Sequence, residues 1–208
     1  QAIQGVIGEA LALRNAWVVD SIVKATQRAN RIASKLGKEW EVVLTQAPVF
    51  ATTKTGGMGE IYDASLWVVK KGTAGELEAA PVFVLQVKSG GAQEAAEQIG
   101  KDFSREPVGE VRLPALDPAA KPGTAATKTY KIKNLQDLLR SKGLKEAKGE
   151  VGGLTTQRML VSPRAPSTGT LVKHLPKGTT IEYVGGLMTK REVQGISEAM
   201  RDGLKKKK

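Results

Sequence analysis

A long helical repeat of apolar residues followed by three apolar, β-branched runs predicts an α/β (α+β) protein: a central mixed sheet flanked by helices, with a basic C-terminal extension. Short, turn-forming connections between the runs make antiparallel hairpins of successive strands. The second half adds further strand and helix patterns and carries nearly all the excess positive charge.

Residues 3 to 36 read as helix, because Ile3, Val6, Ile7, Ala10, Leu13, Trp17, Ile22, Val23, Ile32 and Leu36 recur near helical spacing. Asp20-Ser21 marks a point where a second helix could restart, and Gly37 suits a C-terminal cap. Three strands are expected next: 40 to 52, interrupted by Pro48; 59 to 69, after the glycine-rich turn TGGMG; and 80 to 88. A second helix spans 91 to 106, with Ala92, Ala95, Ala96, Ile99 and Phe103 on one face. Residues 113 to 128, rich in proline and alanine, form a loop or linker between a core of 1 to 112 and a basic part of 129 to 208 that completes the sheet. A short helix over 133 to 144 has Asn134 as its N-cap and Gly143 at its end. QRMLVSP and GTTIEYVGG supply late strands, and 189 to 204 a final amphipathic helix.

Aromatic residues make up 4% of the 208, so the core has to be built from aliphatic side chains and alanine. With no cysteine, disulfides, zinc thiolates and thiol catalysis are excluded, and the single His174 leaves a histidine triad without partners. TGGMGE fits neither a P-loop nor a dinucleotide fingerprint. No apolar run approaches the roughly 20 residues of a transmembrane helix. Residues 1 to 110 hold 12 Lys/Arg against 13 Asp/Glu, and residues 111 to 208 hold 20 against 8, so the basic excess lies in the second half. That asymmetry points to a polyanionic partner, nucleic acid first.

The stretch PVFVLQVKSGG (81 to 91) begins as a core strand and ends by placing Gln86 and Lys88 on one face. In the preceding strand Asp63 interrupts an apolar run, and in the first helix Glu9 falls on the apolar stripe between Val6, Ala10 and Leu13. A buried carboxylate needs a partner or a metal. Oxygen donors of this kind suit Mg²⁺ or Mn²⁺: Asp63 as the anchoring carboxylate, Gln86 through its amide oxygen, Val87 through its backbone carbonyl and Glu9 for a second ion or a water. Lys88 is suited to charge building on a phosphate.

The order Glu9, Asp63, Gln86-Val87-Lys88 on helix, strand and strand resembles the PD-(D/E)xK nuclease superfamily, over about half of the chain. GEIYD, LQVKSG and AAEQIGKD are the matching stretches. No proline precedes Asp63, and Gln86 stands where an acid is usual, which leaves one-metal against two-metal operation open. The resemblance implies a restriction-endonuclease-like core and metal-dependent hydrolysis of phosphodiesters, DNA ahead of RNA. It makes Gln98, Lys101, Lys131, Lys133 and Arg158 candidates for substrate phosphates. A basic, cysteine-free module starting at Gln1 is also similar to C-terminal effector domains of bacterial polymorphic toxins. That likeness implies delivery as part of a larger protein, a cytoplasmic site of action and an acidic immunity protein as partner.

Plainer readings compete. Asp63 could serve as a turn carboxylate paired with Lys70 or Lys71, Glu9 as a solvated helix residue, and Gln86 with Lys88 as an edge strand entering solvent. The whole could also be a nucleic-acid-binding module without catalysis, or a tRNA nuclease of the same fold. A third class is adhesion to anionic membranes through Lys205 to Lys208.

Overall fold

The computed structural model describes residues 10, 12–45, 49–52, 58–72, 77–88, 108–114, 127–144, 153–162, 178–183, 194–195, 198–199 and 202. The chain is mixed α/β, as its sequence predicts. Two compact units are interleaved along it: one takes 21–85 and 105–158, the other 1–20, 86–104 and 159–208. The expected loop 113 to 128 falls inside the first of these, and its two ends belong to paired strands.

Helix α1 (Ala16–Leu36) runs unbroken through Asp20-Ser21, which corrects the expected restart there. The start lies at Asn15, whose Oδ1 accepts from the N–H of Trp17 at 2.9 Å and of Val18 at 3.3 Å. This start sets the phase of the helix. Ala25, Ala29, Ile32, Ala33 and Leu36 form the buried stripe, whereas Trp17, expected on it, is 72% exposed and Val23 is exposed too. Gly37 closes α1 at φ +125°, its N–H donating to the carbonyl of Ala33. A Cβ there would come within 2.6 Å of the Glu39 carboxylate, so only glycine fits.

In the unit holding α1 past Ser21, strands β1 (Trp40–Thr45), β2 (Val49–Thr52), β3 (Met58–Ile61), β4 (Ala64–Lys70), β5 (Glu78–Val87, to Leu85), β6 (Glu110–Pro114) and β7 (Thr127–Ile132) form one sheet. Their order is β1-β4-β5-β7-β6-β2-β3. Two expected strands are each divided. The run 40 to 52 becomes β1 and β2, which pair with different neighbours, and the run 59 to 69 becomes β3 and β4. Every pair but one is antiparallel; β7 lies parallel to β5, so the sheet is mixed.

Even-numbered residues of β1 and β4, such as Val42 opposite Val68, face α1. They pack with Ala29, Ile32, Leu36, Ala80, Val82 and with Leu135, Leu138 and Leu139 of helix α2 (Leu135–Ser141). The cluster is aliphatic and alanine-rich apart from Trp40, as the scarcity of aromatics requires. The opposite face is buried as well: Val43, Ser65, Trp67, Val69, Val111, Leu113 and Tyr130 are all covered. Glu41 of β1 raises the Tyr130 pKa on β7, although β4 and β5 separate those strands in the sheet. The sheet therefore curls on itself, and its inner face needs no second layer of helix. Buried Trp67 donates from Nε1 to Ser65 Oγ at 2.8 Å, which satisfies both polar atoms of that inner face.

Helix α2 matches its expected signals. Asn134 Oδ1 accepts from the N–H of Gln136 and of Asp137, Lys142 is the C-cap, and Gly143 follows at φ +72°. In the other unit β8 (Gln157–Ser162, from Met159) and β9 (Thr180–Tyr183) are parallel, as Met159↔Thr180 to Ser162↔Tyr183. Residues 194–195, 198–199 and 202 are helical within the expected final helix, and Gln194 donates to Glu198 one turn on. The helix expected over 91 to 106 and the position of His174 lie outside the described residues.

Candidate functional site

Asp63 does not interrupt a strand; it stands in the bend between β3 and β4, which corrects the expected run 59 to 69. Its half-buried carboxylate follows Tyr62, a buried residue with φ of +57°. A bulky non-glycine residue in the left-handed region is strained and persists only where its surroundings fix it. The Asp63 N–H donates to the Leu85 carbonyl at 3.0 Å, one residue before the Ala64↔Leu85 rung. Asp63 thus heads β4 at the level where β5 reaches Leu85, the residue that Gln86 follows.

The division between the units falls inside β5, after Leu85. Beyond it, Gln86 is only 7% exposed and Val87 is buried, while Lys88 is half-buried with its N–H donating to the Val161 carbonyl at 3.0 Å. The reading of Gln86 and Lys88 as an edge strand entering solvent is therefore overturned, because the main chain here is paired with β8. The reading of Asp63 as a partner of Lys71 loses that lysine to Glu41, 3.0 Å away.

Asp63, Gln86 and Val87 offer only oxygen donors: a carboxylate, a side-chain amide and a backbone carbonyl. That set fits a hard divalent cation and not zinc or copper. The described residues contain no cluster of three or more Asp, Glu, His or Cys, so Asp63 is the single anionic donor among them. Glu9, Gln98 and Lys101 lie outside the described residues.

Of the other expected substrate contacts, Lys131 is exposed on β7, while Lys133 and Arg158 line a pocket of about 160 Å³ together with Tyr62, Pro81 and Thr156. Lys133 also pairs with Glu78 at 3.2 Å, near the surface, where such a pair contributes little. The wall carrying Thr156 and Arg158 is held by a residue that no sequence motif marks. Arg28 of α1, 2% exposed, donates to the carbonyls of Val82, Gly153 and Thr155 at 3.1, 2.7 and 2.8 Å. Thr156 Oγ1 then donates to the Pro81 carbonyl at 2.8 Å. Burial lowers the Arg28 pKa to about 10, with Arg31 adding repulsion, which leaves the guanidinium charged at neutral pH.

Comparison with protein-family models, with curated proteins and with solved structures finds no significant match for the chain. The site is therefore read from its own residues.

Proposed function

We propose that this chain is a metal-dependent endonuclease of PD-(D/E)xK type with a Gln86-Val87-Lys88 variant motif, acting on DNA in preference to RNA. The observation that carries the reading is the break at Tyr62-Asp63, which sets a carboxylate at the head of β4 against Leu85, directly before the amide and ammonium of the motif. Asp63, Gln86 and the Val87 carbonyl would hold Mg²⁺ or Mn²⁺, with Glu9 as a further ligand. The bound cation supplies Lewis-acid polarisation of the scissile phosphate. Lys88 would donate to phosphate oxygens as negative charge grows on them. Exposed basic residues such as Lys131 would grip the sugar-phosphate backbone without reading sequence, which implies steep salt dependence.

A role as the effector domain of a larger toxin, with an acidic immunity protein covering the basic face, belongs to the same proposal and rests on the charge distribution. The test is incubation of the purified chain with plasmid DNA and with total tRNA, in Mg²⁺ and in EDTA, beside Asp63→Ala and Lys88→Ala. Mg²⁺-dependent degradation abolished in both variants upholds the nuclease and names its substrate. Tight, salt-sensitive binding with no cleavage of either nucleic acid sinks it in favour of a binding module.

A further inference from the structure

The pocket beneath Tyr62 has the features of a ligand site distinct from the metal-binding set. Its described lining includes two cationic side chains, Lys133 and Arg158, and no carboxylate. An enclosed pair of like charges is unfavourable unless an anion completes it. The remaining wall is apolar and partly flat, with the Tyr62 ring and Pro81 among its members. At about 160 Å³ the pocket is smaller than the roughly 300–1,000 Å³ of drug-sized ligand sites, so it accepts one small group and excludes a duplex.

The pocket is also built in advance of any ligand. Arg28 fixes the turn that presents Thr156 and Arg158, and Thr156 is tied to Pro81 on β5. Tyr62 is held at φ +57°, and Gly109 at φ +87° lets the chain pass close to Thr52, whose Cβ would lie 3.2 Å from a side chain placed there. Strained and left-handed backbone at both Tyr62 and Gly109 converges on one small cationic recess.

We infer that this pocket binds a single nucleotide, its phosphate against Arg158 and Lys133 and its sugar or base against Tyr62 and Pro81. The inference rests on the nuclease reading only for the choice of a nucleotide over other phosphate esters. A guanidinium with a neighbouring ammonium suits a terminal phosphate, and an aromatic wall beside them suits a ring that can stack. The occupant is either a free mononucleotide or the phosphorylated end of a strand.

The experiment is calorimetric titration and amide NMR of the whole chain without divalent metal, using a nucleoside 5′-monophosphate, the bare nucleoside and inorganic phosphate. The monophosphate is expected to bind and to shift the amides of Lys133, Asn134 and Arg158, with both fragments far weaker. Lys133→Ala and Arg158→Gln should each weaken binding roughly tenfold or more, as loss of a charged hydrogen bond implies. Lys133 is half-exposed, so its variant is expected to keep the wild-type unfolding midpoint. No binding of the monophosphate, or binding unchanged in both variants, overturns the inference. A chain that cleaves nucleic acid but fails this titration loses the pocket and keeps the nuclease. One that binds the nucleotide and never cleaves does the reverse. Competition by a 5′-phosphorylated single-stranded oligonucleotide, and not by its unphosphorylated twin, assigns the occupant to a strand end. Failure of both to compete assigns it to the free nucleotide.

Discussion

At its start, β5 places Glu78 and Ala79 beside Lys131 and Ile132 of β7, while Ala79 and Ala80 pair with Val69 and Val68 of β4. At its end, the same strand carries Gln86 and Lys88, and the neighbouring β4 begins from a strained Tyr62 and a half-buried Asp63. The root is packed on both faces, and Lys133 N–H donates to Ala79 to continue its ladder. The tip keeps polar groups where apolar ones would pack as well. Residues at the root should therefore govern stability, and residues at the tip should govern chemistry with little effect on folding.

Asp63→Ala tests the contrast where the effect is largest. Removing the anchoring carboxylate should lower cleavage by at least about 100-fold, since even partners behind metal ligands typically cost 10–100-fold. The urea midpoint should hold or rise, as a strained bend loses its charged residue. A variant that unfolds while its remaining folded fraction cleaves normally would break the assignment of the tip to chemistry.

Arg28→Ala addresses the middle of the strand. It strands buried carbonyls of Val82, Gly153 and Thr155 and should destabilise the chain by about 3 kcal/mol, read as a lower urea midpoint at unchanged slope. Arg28→Lys, which keeps charge but lacks the forked donors, should recover only part of that loss. Nearer the root, Asn134→Ala removes the cap of α2 and should cost about 1 kcal/mol, with cleavage unaltered.

Legibility in the sequence followed the range of the forces involved. Asn134, Gly143 and Gly37 act on main chain within a few residues, so their roles could be read directly. β5 was legible because a strand buried on both faces is apolar throughout. The break at Tyr62 was hidden because β3 and β4 share an apolar composition, and nothing in GEIYDASLWVV marks a left-handed tyrosine. Trp17 misled because apolar spacing before Asn15 implied one continuous phase. Arg28 gave no signal at all. Its acceptors are backbone carbonyls 54, 125 and 127 residues away, and carbonyls leave no mark in a sequence. Of the candidate site, Asp63, Gln86, Lys88, Lys133 and Arg158 could be named in advance, but not the turn that holds Arg158.

The smallest expected effect lies on the sheet's inner face. Burial raises the pKa of Tyr130 above its usual value of 10.0, and the Glu41 carboxylate raises it further. In the unfolded chain the phenol ionises at its ordinary pKa, so above about pH 10 the unfolded state binds fewer protons than the folded one. Stability is then lost as pH rises through the folded pKa, and none of it is at issue below the unfolded value. Tyr130→Phe should remove this alkaline loss while leaving the neutral-pH midpoint nearly unchanged, the hydroxyl being a minor part of a buried ring. Glu41→Gln should weaken the loss without removing it, because burial is the larger cause. Unfolding midpoints measured from pH 8 to 11 would decide it. An identical alkaline slope in wild type and Tyr130→Phe would mean that Glu41 and Tyr130 do not face each other, and that the sheet does not curl as described.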